Sequence, residues 1–277
     1  MFHLNTDIRK ISHSKCIDEP HDRKDAFGLD FERSQFIVKK KFATVAGSRL
    51  LGQMWLILDP MIQAAIYFFV LVVLRAREDP QSLIIGITYV RILQRGLGDG
   101  FNGAIDYSGG IKIERVRTRV FLMAEGILGL TTSFFMTIGV VVGFVLYFGE
   151  SITEMLAFMV LAYFLYLFWY VLGSVLSPAG IFIPDLKAFV TYFGMLMFFA
   201  SPAIYTLGQT TGAHRQLSLI NPFSYFVEAA RAIIIGSEDY NLLSTDLGVA
   251  FAIFFLLATF LSIRNFDKLR WRFSTWS

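Results

Sequence analysis

The run Met155-Leu-Ala-Phe-Met-Val-Leu-Ala-Tyr-Phe-Leu-Tyr-Leu-Phe-Trp-Tyr-Val-Leu-Gly-Ser-Val-Leu-Ser177 contains no charged side chain. A helix crosses about 30 Å of hydrocarbon with roughly 20 mostly apolar residues, and this run is longer than that. Its backbone has no water to bond to in a bilayer, so a helix is the form that satisfies every amide internally. The rest of the chain agrees with this reading. It is 55% hydrophobic, only 17% charged, and holds 29 phenylalanines among 277 residues. Soluble domains carry about 25% charged residues. The sequence therefore predicts an all-α integral membrane protein, with six transmembrane helices.

Working outward from this fourth span, the third is expected over about 120–148 and carries a Gly139/Gly143 pair. Glu150 and Glu154 flank the very short outer turn between them. The second span, about 82–107, contains Arg91, Arg95, Asp99 and Asp106. Arg91, Arg95 and Asp99 follow at intervals of four and share a helix face. Each Arg costs at least about 2.5 kcal/mol in a bilayer core, so that face is expected to look into protein or water. Gly96 and Gly100 form a small-residue pair that lets helices approach closely. The first span runs from about Trp55 to Leu74, with Pro60 one turn inside it. The fifth covers about 188–206 and breaks near Ser201-Pro202; Pro178, Pro184, Asp185 and Lys187 precede it as an inner loop. The sixth is about 247–263. Between the last two, residues 207–245 form the longest outer segment. Its piece Asn221-Pro-Phe-Ser-Tyr-Phe-Val-Glu-Ala-Ala-Arg231 is too short and charged to cross, which suggests re-entrant short helices.

Residues 1–33 read as a disordered cytosolic tail. The stretch 34–53, with Lys39, Lys40 and Lys41 among Phe36, Phe42 and Val45, reads as an amphipathic interface helix. The transmembrane domain then extends over 34–264, and 265–277 is a basic cytosolic tail. Most of the 25 Lys and Arg residues fall on the N-terminal segment, the 108–119 loop and the C-terminal tail. Only Arg75, Arg77, Arg215 and Arg231 fall on outer segments. This bias predicts a multi-pass protein of the cytoplasmic (inner) membrane with both termini in the cytoplasm. Clustered charge of this kind points to topology, and no nucleic-acid partner is expected. The lone Cys16 excludes an internal disulfide, and His3, His13, Cys16 and His21 match no compact metal motif.

Three motifs carry a resemblance. Gly47-Ser-Arg-Leu-Leu-Gly52-Gln-Met-Trp55-Leu-Ile-Leu-Asp-Pro60 resembles the signature entering the first span of ABC-2 type permeases for polysaccharide export (O-antigen, teichoic acid or capsule). Ser201-Pro202-Ala-Ile-Tyr205 is similar to that family's Ser/Thr-Pro-x-x-Tyr at the end of span five. Asn221, Pro222 and Arg231 resemble its Asn-Pro…Arg outer element. The resemblance covers about residues 35–265. The chain departs from it in reading Pro184-Asp185-Leu186 where members show Arg-Asp-Leu/Ile, in its more charged second span and in its longer N-terminal tail.

The resemblance implies a homodimeric permease subunit, with no catalysis of its own, that exports a polyprenyl-diphosphate-linked glycan. It also implies a separate ABC ATPase subunit that holds ATP and Mg, since this chain has no Gly-x-x-x-x-Gly-Lys-Ser/Thr phosphate loop. The candidates for ATPase coupling are Lys39, Lys40, Lys41, Lys112, Glu114, Arg115 and Arg117. Candidates for the substrate path are Arg91, Arg95 and Asp99, whose Arg geometry suits phosphate, and Tyr163, Tyr166, Trp169 and Tyr170, on which sugars stack. Other readings of these residues are topology anchoring, an internal Arg–Asp pair and aromatic packing. Three alternative functions remain: export of a drug or small lipid, a polytopic membrane enzyme acting on lipid-linked sugars, for which Asp185, His214 and Glu228 fall on separate segments and do not converge, and a proton-driven transporter using Asp99 and Glu125.

Overall fold

The computed structural model describes residues 23–47, 80–105 and 118–269, and singly Met54, Trp55, Leu58, Ile62, Ile66 and Phe69. Its elements are α1 (Arg23–Gly47), α2 (Pro80–Ile105), α3 (Thr118–Gly143), α4 (Ile152–Phe182), α5 (Leu186–Phe199), α6 (Gly212–Ile220), α7 (Pro222–Ile235) and α8 (Thr245–Leu269). A π-helical turn, Phe144–Phe148, prolongs α3, and single 3-10 turns precede α6 and α8. No strand occurs among the described residues.

Among the described residues three helices are long and apolar enough to cross a membrane: Arg119–Phe148, Ile152–Gly180 and Thr245–Arg264. They are the third, fourth and sixth of the six expected spans. The region of the first span lies outside the described residues apart from the single positions. At about 1.5 Å per residue α2 is long enough to cross, but its charges set it apart. Helix α5 is apolar but shorter.

Local signals set the helix ends. Gly149 adopts a left-handed conformation (φ 74°) and closes α3. Ser151 then caps α4 with Glu154 in a reciprocal capping box, satisfying amides that a helix start otherwise leaves bare. Three boundaries differ from the sequence expectation. Helix α4 runs through Pro178 to Phe182, where a loop was expected from Pro178. Pro178 is buried, and Gly180 packs against the Phe101 ring, where a Cβ would come within 2.4 Å. Packing thus prolongs the helix past a residue that usually ends one. Helix α8 continues past Arg264 to Leu269. Helix α1 starts at Arg23, within the stretch expected to be irregular, because its protein-facing side is polar. Asp30 and Ser34 are buried on that side while Phe27, Phe31 and Phe36 are exposed.

The centre of the molecule is the α2–α4 contact. Gly96 and Gly100 of α2 meet the carbonyls of Tyr166 and Tyr170, and Gly173 of α4 meets the Leu97 carbonyl. A Cβ at Gly100 would stand 2.1 Å from the Tyr170 oxygen. The Gly96/Gly100 pair therefore does bring two backbones together. Gly143, by contrast, faces open space. Around this contact Tyr89, Leu93, Phe158, Leu165 and Trp169 form a buried core that α3, α5 and α7 complete.

Candidate functional site

Two polar constellations lie within this bundle. The first grows from the charged face of α2. Residues four apart drift by about 40° around a helix, so Arg91, Arg95 and Asp99 fan out rather than align. Arg95 Nε lies 3.7 Å from Asp99 Oδ2, and Tyr166 of α4 donates its hydroxyl to the same oxygen at 3.2 Å. Gly129 of α3 makes room for both, since a Cβ there would fall 2.5 Å from Asp99 Oδ2. The Arg95 guanidinium also reaches Met136 Sδ at 3.8 Å. On the adjoining side Glu125 of α3 is paired with Lys41 of α1. Arg119, at the start of α3, pairs with Asp30 of α1. These two ion pairs fasten α1 along α3.

Arg91 turns the other way. It borders a cleft of about 180 Å³ with Ile87, Val90, Gln94, Met195, Phe198 and Phe199. Among the described residues it has no carboxylate partner.

The aromatic candidates also divide. Tyr166 and Tyr170 stack at 5.8 Å, and Tyr170 donates to the Leu122 carbonyl at 2.6 Å. Both face the Asp99 side. Trp169 is buried against Phe168 and Phe193 on the opposite side, and Tyr163 is half-buried. Lys39 and Lys40 are exposed on α1. Lys112, Glu114, Arg115 and Arg117 lie outside the described residues, as do Gly52 and Pro60; Trp55 is half-buried.

The second constellation surrounds Arg231, which is fully buried. Its Nη1 donates to the carbonyls of Pro202 at 2.6 Å and Tyr205 at 3.2 Å, and to Glu228 Oε1 at 2.8 Å. Its Nη2 donates to the carbonyls of Ser82 at 3.1 Å and Ala203 at 3.3 Å. Glu228 in turn accepts from the Leu207 amide at 3.3 Å. Burial pushes the Glu228 carboxyl above its ordinary range while the Arg231 guanidinium pulls it back. Asn221 caps α7 through the Phe223 amide at 3.0 Å and reaches back to the Ala200 carbonyl. Pro222 occupies the first helical turn, where its missing N–H costs nothing. Tyr205 bonds to the Phe199 carbonyl and to His214. The motif residues Pro202, Tyr205, Asn221, Pro222 and Arg231 thus form one knot around the short helices α6 and α7.

Sequence reasoning singled out Arg231 and Asn221 but missed Ser82, Glu228 as a partner, Gly129 and the Lys41–Glu125 pair. All but the Glu228–Arg231 pair, which is three residues apart on α7, join residues distant in the chain. Asp185, His214 and Glu228 do not converge: Asp185 is exposed before α5, and the other two are engaged by Tyr205 and Arg231. Among the described residues no three His, Cys, Asp or Glu side chains gather as for a metal.

Helices that cross a membrane and pack through glycine, with charge turned inward, define a polytopic helical membrane protein. Two proteins called O-antigen export system permease protein RfbA, both from Klebsiella pneumoniae, are 22% and 23% identical to the chain over 89% of its length and 95% of theirs. The chain is thus similar, almost end to end, to permeases of the class its three motifs resemble. No family model matches the chain.

Proposed function

We propose that this protein is the membrane permease subunit of an ATP-binding cassette exporter that moves a polyprenyl-diphosphate-linked polysaccharide across the cytoplasmic membrane. The observation that carries this reading is the near end-to-end similarity to two O-antigen export permeases. Two copies of the chain assemble with two ATPase subunits, which bind ATP and Mg. Both termini are cytoplasmic. Helix α1 and the 108–119 loop receive the ATPase stroke. The Lys41–Glu125 and Arg119–Asp30 pairs support this, because they fasten α1 to a membrane-crossing helix. Arg91, Arg95, Asp99 and the α4 aromatics border the substrate path.

A second reading, export of a drug or small lipid, draws on the apolar cleft of about 700 Å³ that includes Trp169, Phe193, Leu217, Phe254 and Leu257. Co-purification of the tagged protein with the products of its neighbouring genes, followed by an ATPase assay in lipid, decides between them. A stable complex with an ATPase, stimulated by lipid-linked glycan, is the expected result. Stimulation by small hydrophobic compounds alone would transfer the assignment to the second reading. A protein that purifies without any ATPase would refute both.

A further inference from the structure

A groove lies between α2 and α5, on the side of α2 away from Asp99. The Arg91 cleft is one half of it. A second cleft, about 190 Å³, includes Asn102 on α2 and Lys187, Thr191 and Gly194 on α5. The two share Gln94 and Met195, so they adjoin along the α2–α5 seam. Gln94 spans the gap, donating to the Gly194 carbonyl at 3.4 Å.

The charge of this groove is one-sided. It has a cation at each end, Arg91 and Lys187, and among the described residues no Asp or Glu borders either cleft. Asp99 is occupied on the other side by Arg95 and Tyr166. Asp185, close to Lys187 in sequence, stays outside. Among the described residues neither Arg91 nor Lys187 has an ion-pair partner. Asn102 Oδ1 is a buried acceptor with no donor among the described residues. Two cations without a counter-charge and an acceptor without a donor call for an anionic group that also carries hydroxyls.

We propose that the α2–α5 groove binds the phosphate-bearing headgroup of a lipid-linked sugar, with Lys187 at one end and Arg91 at the other. This rests on the exporter reading and adds Lys187, Gln94, Asn102 and Thr191 to the substrate path. Arg91 and Asn102 are about 16 Å apart along α2 at 1.5 Å per residue. One diphosphate does not touch both ends, so the groove offers two successive stations. Lys187, exposed at the start of α5, meets the headgroup first. Arg91 holds it by forked hydrogen bonds suited to phosphate. The amide oxygen of Asn102, at the Lys187 end, accepts from a sugar hydroxyl.

The test is equilibrium binding of radiolabelled polyprenyl diphosphate to the full complex in nanodiscs of neutral lipid, with competition by inorganic diphosphate and by phosphatidylglycerol. Lys187→Gln and Arg91→Gln are each expected to weaken binding about tenfold or more, the loss of one charge-assisted contact. Arg91→Lys, which keeps the charge but not the fork, should recover part of the binding that Arg91→Gln loses, which separates lost charge from a folding defect. Competition by inorganic diphosphate assigns the groove to the phosphates alone; competition by lipid-linked forms only assigns it to the whole headgroup. Unchanged binding in both Gln variants, or equal competition by phosphatidylglycerol, overturns the proposal. ATPase stimulation in the same samples keeps the two ideas apart: if it persists while the Gln variants bind normally, the groove assignment falls and the exporter reading stands.

Discussion

Arg231 is a charge that folding has placed out of reach of water, so its partners set its worth. Removing one member of a buried ion pair typically costs about 3–5 kcal/mol, because the other member is left uncompensated. Arg231→Ala leaves Glu228 and the carbonyls of Ser82, Pro202, Ala203 and Tyr205 without their donor. The expected outcome is a loss of that size, read as a sharp fall in the thermal midpoint of the detergent-purified protein. Arg231→Lys keeps the charge but not the fork, and should recover only part of the loss. A midpoint unchanged by Arg231→Ala would mean that the knot does not hold the short helices. The sequence marks Arg231 as one end of a motif. It does not mark Ser82, because that contact closes across most of the chain, and no local spacing encodes it.

Between helices, the α2–α4 contact depends on what is absent from Gly100. Alanine there drives a methyl into a backbone carbonyl. Backbone does not yield as a side-chain tip does, and overpacking of this kind costs about 1–3 kcal/mol. Gly98 is its control, since among the described residues nothing lies within 4 Å of where its Cβ would stand. Gly98→Ala should be neutral or slightly stabilising, by up to about 1 kcal/mol from helix propensity. Thermal midpoints of the two variants side by side make the check, and equal midpoints would rule out close packing at Gly100. The same helices show what the sequence made legible. Helices α3, α4 and α8 announce themselves because length and apolarity alone define a crossing helix. The Gly96/Gly100 pair was readable by its spacing, as was the short helix opened by Asn221-Pro222. The start of α1 was not, because its apolar side chains Phe27, Phe31 and Phe36 are exposed and its anchors to α3 are Asp30 and Lys41. The divergence of Arg91 from Arg95 was also hidden, because equal spacing by four implies a common face until the neighbours on each side are known.

For the molecule as a whole, the distribution of Lys and Arg predicts which compartment each end occupies. The chain holds a single cysteine, Cys16, which serves as a natural reporter. A membrane-impermeant maleimide should fail to label Cys16 in intact spheroplasts and label it after permeabilisation. In a Cys16→Ser background, Arg215→Cys on α6 should label from outside. The opposite pattern would invert the topology.

The knot at Arg231 also fixes how the bundle is able to move. It rivets the start of α2, at Ser82, to the stretch just beyond α5, at Pro202 and Ala203. Gly86, one turn further along α2, lies so close to the Ala203 carbonyl that a Cβ would stand 1.8 Å away. Two rods pinned at one end have a single way to part, which is to swing like the legs of a compass. Helices α2 and α5 can thus spread at Asn102 and Lys187 while the riveted end stays shut. Any widening between them begins at the Lys187 end, and the far end opens only if the rivet itself gives.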